Sequence, residues 1–196
     1  MLNRKERIAG MTARRNDERT IAGEHRMMRR ADREVTNPAQ VMAIIEACAI
    51  IRIAYTDAEG LTIVPMNFGF TTEIVENAAK PTFYFHSAPI GRKVDAIKAA
   101  NNALPVAFEM ETDCEVVEGR TLCNWGEAFK SVVGNGVASI VDDLEESRTA
   151  LGLLMKQQAG MEHVEFTDQQ VRSVTVWKVV SDYVTVKVHE KPKPRH

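Results

Sequence analysis

The chain has 196 residues, a formal net charge of -2, and a composition 44% hydrophobic and 27% charged. That is an ordinary globular profile, long enough for a sizeable core and unlike that of a nucleic-acid or membrane-surface binder. No apolar run approaches the roughly 20 residues that cross a bilayer, and the N-terminus lacks the apolar stretch of a secretory signal, so the expectation is a cytoplasmic protein. Charge is unevenly placed: residues 1–33 carry ten basic and five acidic side chains, leaving fifteen and twenty-two in the remainder. Cys48, Cys114 and Cys123 are an odd number without a C-x-x-C pair, which fits reduced thiols better than disulfides or zinc.

In chain order, residues 1–34 read as a basic arm, mobile or clasping a partner, because they have many charges, no aromatic residue and little apolar periodicity. The folded domain is expected over residues 35–189. Asn37 can cap a helix with Pro38 in its first turn and Gln40 three residues after the cap, and Val41, Ile44, Ile45 and Cys48 give it one apolar stripe. Residues 50–56 and 61–70 read as a hairpin joined by the four-residue turn Asp57-Ala58-Glu59-Gly60. Strands are expected at 82–85 and 103–111, a long loop over 112–128 and a strand over 129–141. Asp142 is placed as the cap of a helix with Leu144, Leu151, Leu154 and Met155 on its buried side, ended by Gly160. Two strands, 174–180 and 183–188, precede a disordered tail at 190–196. Six or seven strands with short connections and about three helices predict a mainly β domain, an antiparallel barrel with the helices outside.

Between the strand at 82–85 and the stripe Val94, Ile97, Ala100 lies Ser87-Ala88-Pro89-Ile90-Gly91-Arg92-Lys93. Ser87 is placed as a cap and Pro89 in the first turn. A helix N-terminus offers unpaired N–H groups and partial positive charge; with Arg92 and Lys93 beside it, the layout is that of an anion-binding corner or of a solvated cation pair.

Three segments carry a family resemblance: Ile63-Val64-Pro65-Met66-Asn67-Phe68-Gly69-Phe70, Phe83-Tyr84-Phe85-His86-Ser87-Ala88 with Gly91-Arg92-Lys93, and Phe129-Lys130-Ser131-Val132-Val133-Gly134-Asn135-Gly136. In order and spacing they resemble the split-barrel flavoproteins related to pyridoxamine 5'-phosphate oxidase, in particular the nitroimidazole-resistance (nitroimidazole reductase) branch. The resemblance runs from about Arg26 to Val188 and leaves the arm out. It implies an antiparallel split β-barrel and a homodimer with flavin mononucleotide (FMN) across the subunit interface. The phosphate would lie at the corner of Ser87, Arg92 and Lys93, and the ring against the backbone of Pro65, Met66 and Asn67. Ser131 and Val132 belong to the third matching segment and join the cofactor-binding candidates.

Pro65 is also explained by an edge strand, and Gly134 and Gly136 by close approach of a ligand or a partner backbone, or by a plain bulge. His86 is the candidate catalytic residue and also a cofactor-binding candidate, lying over the flavin or substrate and giving a proton to a reduced product, or else a structural hydrogen-bond partner. Trp125 either covers the flavin or packs the core. The expected activity is FMN-dependent reduction of a small acceptor, with no metal. Pyridoxamine 5'-phosphate oxidation is the second reading, disfavoured by a Lys-Pro tail where that branch has an arginine-rich motif. A non-catalytic flavin or haem carrier, with His163, His189 or His196 as axial ligands, is the third, and nucleic-acid binding by the arm the fourth.

Overall fold

The computed structural model describes residues 28–191. The chain divides into two compact units, Met1–Glu34 and Val35–His196. In the described part of the first, Ala31–Arg33 form a 3-10 turn and Arg30 pairs with Asp32 at 2.6 Å. The arm up to residue 27, and the tail from residue 192 with His196, lie outside the described residues.

The second unit opens with helix α1 (Pro38–Ala47), started as expected: the Asn37 side-chain oxygen accepts from the N–H groups of Ala39 (3.0 Å) and Gln40 (3.2 Å), and proline fills the first position. Val41, Ile44, Ile45 and Cys48 are buried against the sheet. Seven strands follow: β1 (Ile51–Asp57), β2 (Gly60–Met66), β3 (Gly69–Val75), β4 (Ala78–Ser87), β5 (Leu104–Val117), β6 (Gly126–Ile140) and β7 (Thr175–His189). Helix α2 (Arg92–Ala99) joins β4 to β5, and α3 (Leu144–Ala159) and α4 (Asp168–Arg172) lie between β6 and β7. All seven strands form one antiparallel sheet in the order β2-β1-β5-β6-β7-β4-β3. The fold is mainly β, a split barrel with outer helices.

One face of the sheet buries Ile51, Ile53, Phe83, Phe85, Phe108, Met110, Val132, Trp177 and Val179 in the main core. Phe85 stacks on Trp177 at 4.2 Å, and Phe83 meets Phe68 and Phe108 edge-on. A second cluster lies between α3 and β7, where Ala150, Leu151 and Leu154 pack with Val171 and Val176.

Several expected elements differ, each for a tertiary reason. The strand expected over 61–70 breaks at Asn67-Phe68. Phe68 is fully buried, and the chain crosses there from one edge of the sheet to the other to become β3. Asp57 pairs directly with Gly60, so the first hairpin turns on two residues, not four. The loop expected over 112–128 is mostly ladder: β5 and β6 continue to Val117 and Gly126 across a bulge at Asp113 (φ 55°), and Asp113 pairs with Lys130 at 2.6 Å. The two last strands are one, irregular where the Ser181 hydroxyl donates to the Asn135 carbonyl at 2.8 Å. Asp143, not Asp142, caps α3 by accepting from the Glu146 N–H at 2.7 Å. Helix α4, with its Thr167/Gln170 capping box, was not expected.

Gly69 is where α3 meets β3. A Cβ there would stand 2.5 Å from the backbone of Leu153 and Leu154, so only glycine permits this approach. Gly134 and Gly136 likewise face their own chain, Phe108 Cζ and the Val180 carbonyl, which removes the ligand explanation for them.

Candidate functional site

The corner after β4 is built differently from the local reading. Helix α2 begins at Arg92, its cap Gly91 makes no side-chain bond, and Pro89 lies outside the helix. Ser87 caps nothing; its Oγ accepts the Trp177 indole N–H at 2.9 Å, which leaves its own proton to donate. The first helical bond runs from the Asp95 N–H to the Gly91 carbonyl (3.0 Å), so the N–H groups of Arg92, Lys93 and Val94 have no acceptor within the helix. Lys93 is half-buried and in no ion pair among the described residues.

Arg92 is largely spoken for. Its Nε donates to Asp57 Oδ2 at 2.7 Å, and its Nη2 donates to Asp57 Oδ1 at 2.8 Å and to the Gly60 carbonyl at 3.2 Å. Nη1 faces Glu59 at 3.7 Å. The Asp57 side chain is only 12% exposed and also accepts from the Glu59 N–H, so it is fixed in the turn. The bond from Arg92 holds its carboxyl below the usual range, while the Asp57 bond raises the guanidinium. The hollow beside this pair, about 180 Å³, is lined by Asp57, Glu59, Asp95 and Arg92. Three carboxylates against one cation make it no place for a phosphate. The corner's free donors are Lys93, the helix N–H groups and the Ser87 hydroxyl, with Arg92 Nη1 held only by the long ion pair to Glu59, and this set fits an anion that stays clear of the hollow.

Strand β2 connects this corner to the Pro-Met-Asn segment. Arg92 reaches Gly60 at one end of β2, and Pro65 lies five residues on, about 17 Å along the strand. Pro65 is exposed on a sheet edge, which accounts for its place without a ligand; Met66 is half-buried against the core and Asn67 is exposed.

The other expected site residues lie elsewhere. His86 is exposed on the outer face of β4, at a cavity of about 270 Å³ lined by Leu151, Leu154, Met155, Phe166, Gln170 and Val174. Val132 points into the core, so only its backbone is available to a ligand, whereas Ser131 lies on the opposite face. Trp125 follows the turn between β5 and β6 and is 49% exposed, outside the core clusters, in a stretch where Leu122 (88%) and Val116 are exposed too; packing the core is therefore not its role. Within one copy Arg92 is held at the start of β2 through Asp57 and Gly60, with Lys93 next to it in the chain and Ser87 at the end of β4, but Ser131 lies on β6, with β1 and β5 between it and β2.

In the sequence Asp57 and Glu59 read only as turn residues; their meeting with Arg92, 35 residues on from Asp57, is a long-range event without a local signal. Among the described residues, no group of three or more His, Cys, Asp or Glu could hold a metal ion, and no helix is long and apolar enough to cross a membrane. His189 has one ring nitrogen 2.6 Å from the Glu127 carbonyl. Burial pushes the Cys48 thiol up to about 12, which makes it unreactive.

The outer face of β2-β1-β5-β6-β7 exposes Ile63, Val133, Val137 and Val180, interleaved with Ala54 and Ala107. Exposed Asn135 lies among them, opposite Ala107, so the face is apolar in part, and a cluster of this kind is a candidate contact surface.

A search of curated protein sequences gives no significant match. Among solved structures, the chain is similar to a candidate 5-nitroimidazole antibiotic resistance protein from Bacteroides thetaiotaomicron (29% identity, 79% of this chain and 86% of that one, TM-score 0.63). It shares its fold with a flavocytochrome from Azotobacter vinelandii (16% identity, 89% and 78% covered, TM-score 0.68). The same holds for an FAD and heme binding protein from Mycobacterium smegmatis (13% identity, 83% and 77% covered, TM-score 0.66). The family model for pyridoxamine 5'-phosphate oxidase matches residues 37–188, nearly the whole second unit, and the chain belongs to that family.

Proposed function

We propose that the chain is an FMN-dependent oxidoreductase of the nitroimidazole-reductase type, acting as a homodimer on a small acceptor. The observation that carries this reading is the donor set at the start of α2, placed at one end of an edge strand whose other end is Pro65-Met66-Asn67. Lys93, the first backbone N–H groups of α2 and the Ser87 hydroxyl would hold the phosphate, with Arg92 adding Nη1 while Asp57 fixes the rest of its fork. Backbone around Met66 and Asn67 would meet the polar edge of the ring. The flavin supplies hydride transfer when bound; the protein orients it, excludes water and delivers protons. His86, at the mouth of an apolar cavity, is the residue to hold a proton for the reduced acceptor.

Two copies are part of the proposal because the candidate residues of one copy are spread over strands that do not adjoin, and because the outer face offers a partly apolar surface for a second copy. Trp125, free of its own core, would then cover a flavin held by the partner. The similarity to the Bacteroides protein supports nitroimidazoles as acceptors.

Purified protein should show flavin absorption, bleached by a reduced nicotinamide and restored by a nitroimidazole. His86→Ala should cut turnover by about a hundredfold and shift the flavin Kd by less than about threefold. A preparation that takes up no added FMN would contradict the reading.

A further inference from the structure

The outer sheet face mixes exposed apolar side chains (Ile63, Val133, Val137 and Val180) with neutral polar ones such as Asn135 and Thr185, and within it lies one ionised cluster. Glu109 and Glu111, two residues apart on β5, point to the same side, and both are bonded by Arg52 Nη1 from β1, at 3.2 and 2.8 Å. Two carboxylates share one guanidinium. The other groups facing them do not restore the balance: β6 presents Val133 opposite Glu109 and Ser131 opposite Glu111, and β2 presents Pro65 beyond Arg52. On β7 the nearest cation, Lys187, lies 5.1 Å over the Phe129 ring. Lys130 is tied to Asp113 at 2.6 Å. The thiols of Cys48 and Cys114 are both pushed up and stay neutral. The patch therefore keeps one uncompensated negative charge among Ala54, Ala107, Ile63 and Val133.

A second copy docking over this face by two-fold symmetry covers the patch on each copy, and withdraws two such charges from water. We propose that closing two copies over this face takes up a proton at each Glu109–Glu111 pair, so that self-association is strong on the acid side of neutrality and weakens as pH rises. The inference rests on the homodimer reading above. Its supporting detail is that in the single chain Glu109 is already raised to about 7, by burial first and the Glu111 carboxylate second, while Glu111 is lowered by its bond with Glu109 and then by Arg52. Burial in the dimer raises Glu109 further. A group raised in the associated state favours association fully below its free value and loses that contribution as pH climbs through the bound one. The dimer Kd should then rise by up to about tenfold per pH unit for each pair, about a hundredfold per unit for both.

Sedimentation velocity of the full chain between about pH 6 and about pH 8.5 tests this, with flavin absorbance read on the same samples. The wild type should dissociate at the alkaline end, Glu109→Gln should stay dimeric with a Kd constant within about threefold, and Glu73→Gln, exposed on β3, should behave as the wild type. A wild-type Kd flat over this range, or a Glu109→Gln variant that keeps the dependence, would overturn the proposal. A monomer at every pH would overturn both it and the homodimer reading, while flavin retained by that monomer would leave cofactor binding standing.

Discussion

Gly69→Ala is expected to destabilise the protein by about 3 kcal/mol. The added methyl would stand 2.5 Å from the backbone of Leu153 and Leu154, which is main chain in the middle of α3 and has no rotamer with which to yield. The helix must lift from β3, and the contacts of Leu151 and Leu154 in the second cluster loosen with it. Gly152→Ala, next to Leu153 in the same helix but with open space around its Cβ, is the control; in a helix interior it should stabilise by about 0.5–1 kcal/mol. Urea midpoints decide the matter: equal values for Gly69→Ala and the wild type would show that α3 does not lie against β3 as described.

The second large effect concerns the corner of α2. Removing Arg92 and Lys93 together should weaken FMN binding by at least about a hundredfold, since each charge-assisted bond to a phosphate is worth about 1.5–3 kcal/mol. The two residues should not behave alike. Lys93→Ala should lower affinity about tenfold with an unchanged melting temperature, because that ammonium has no ion-pair partner among the described residues. Arg92→Ala should lower affinity and melting temperature together, because it leaves the fixed Asp57 carboxylate without its fork. Asp57 is lowered in the folded state, so the stability it contributes is present above the ordinary carboxylate range and lost as pH falls through its folded value. That acid-sensitive part should disappear in Arg92→Ala. If both single variants leave flavin affinity intact, the phosphate lies elsewhere.

The elements legible in the sequence are those whose signals are local. Asn37-Pro38 announces a helix start, the stripe from Val41 to Cys48 states which side is buried, and Phe83 and Phe85 alternate into the core. The unread elements depend on distant residues. Nothing near Asn67 shows that Phe68 carries the chain across the split, and the outer part of the β5–β6 ladder, from Asp113 to Val116, is exposed on both faces because it has left the core, so its alternation vanishes. The corner of α2 was legible as a pair of cations at a helix start. Its electrostatics were not: Asp57 arrives from another hairpin and changes Arg92 from a free donor into a held one. The same limit hid the Arg52 cluster, whose three members come together only through the register of β1 on β5.

The account turns on a phosphate held at the start of α2, and the comparison that isolates this group is direct titration of flavin-free protein with FMN and with riboflavin. The account predicts that FMN binds at least about a hundredfold more tightly and that Lys93→Ala removes about tenfold of that preference. Equal affinities for the two flavins would contradict it.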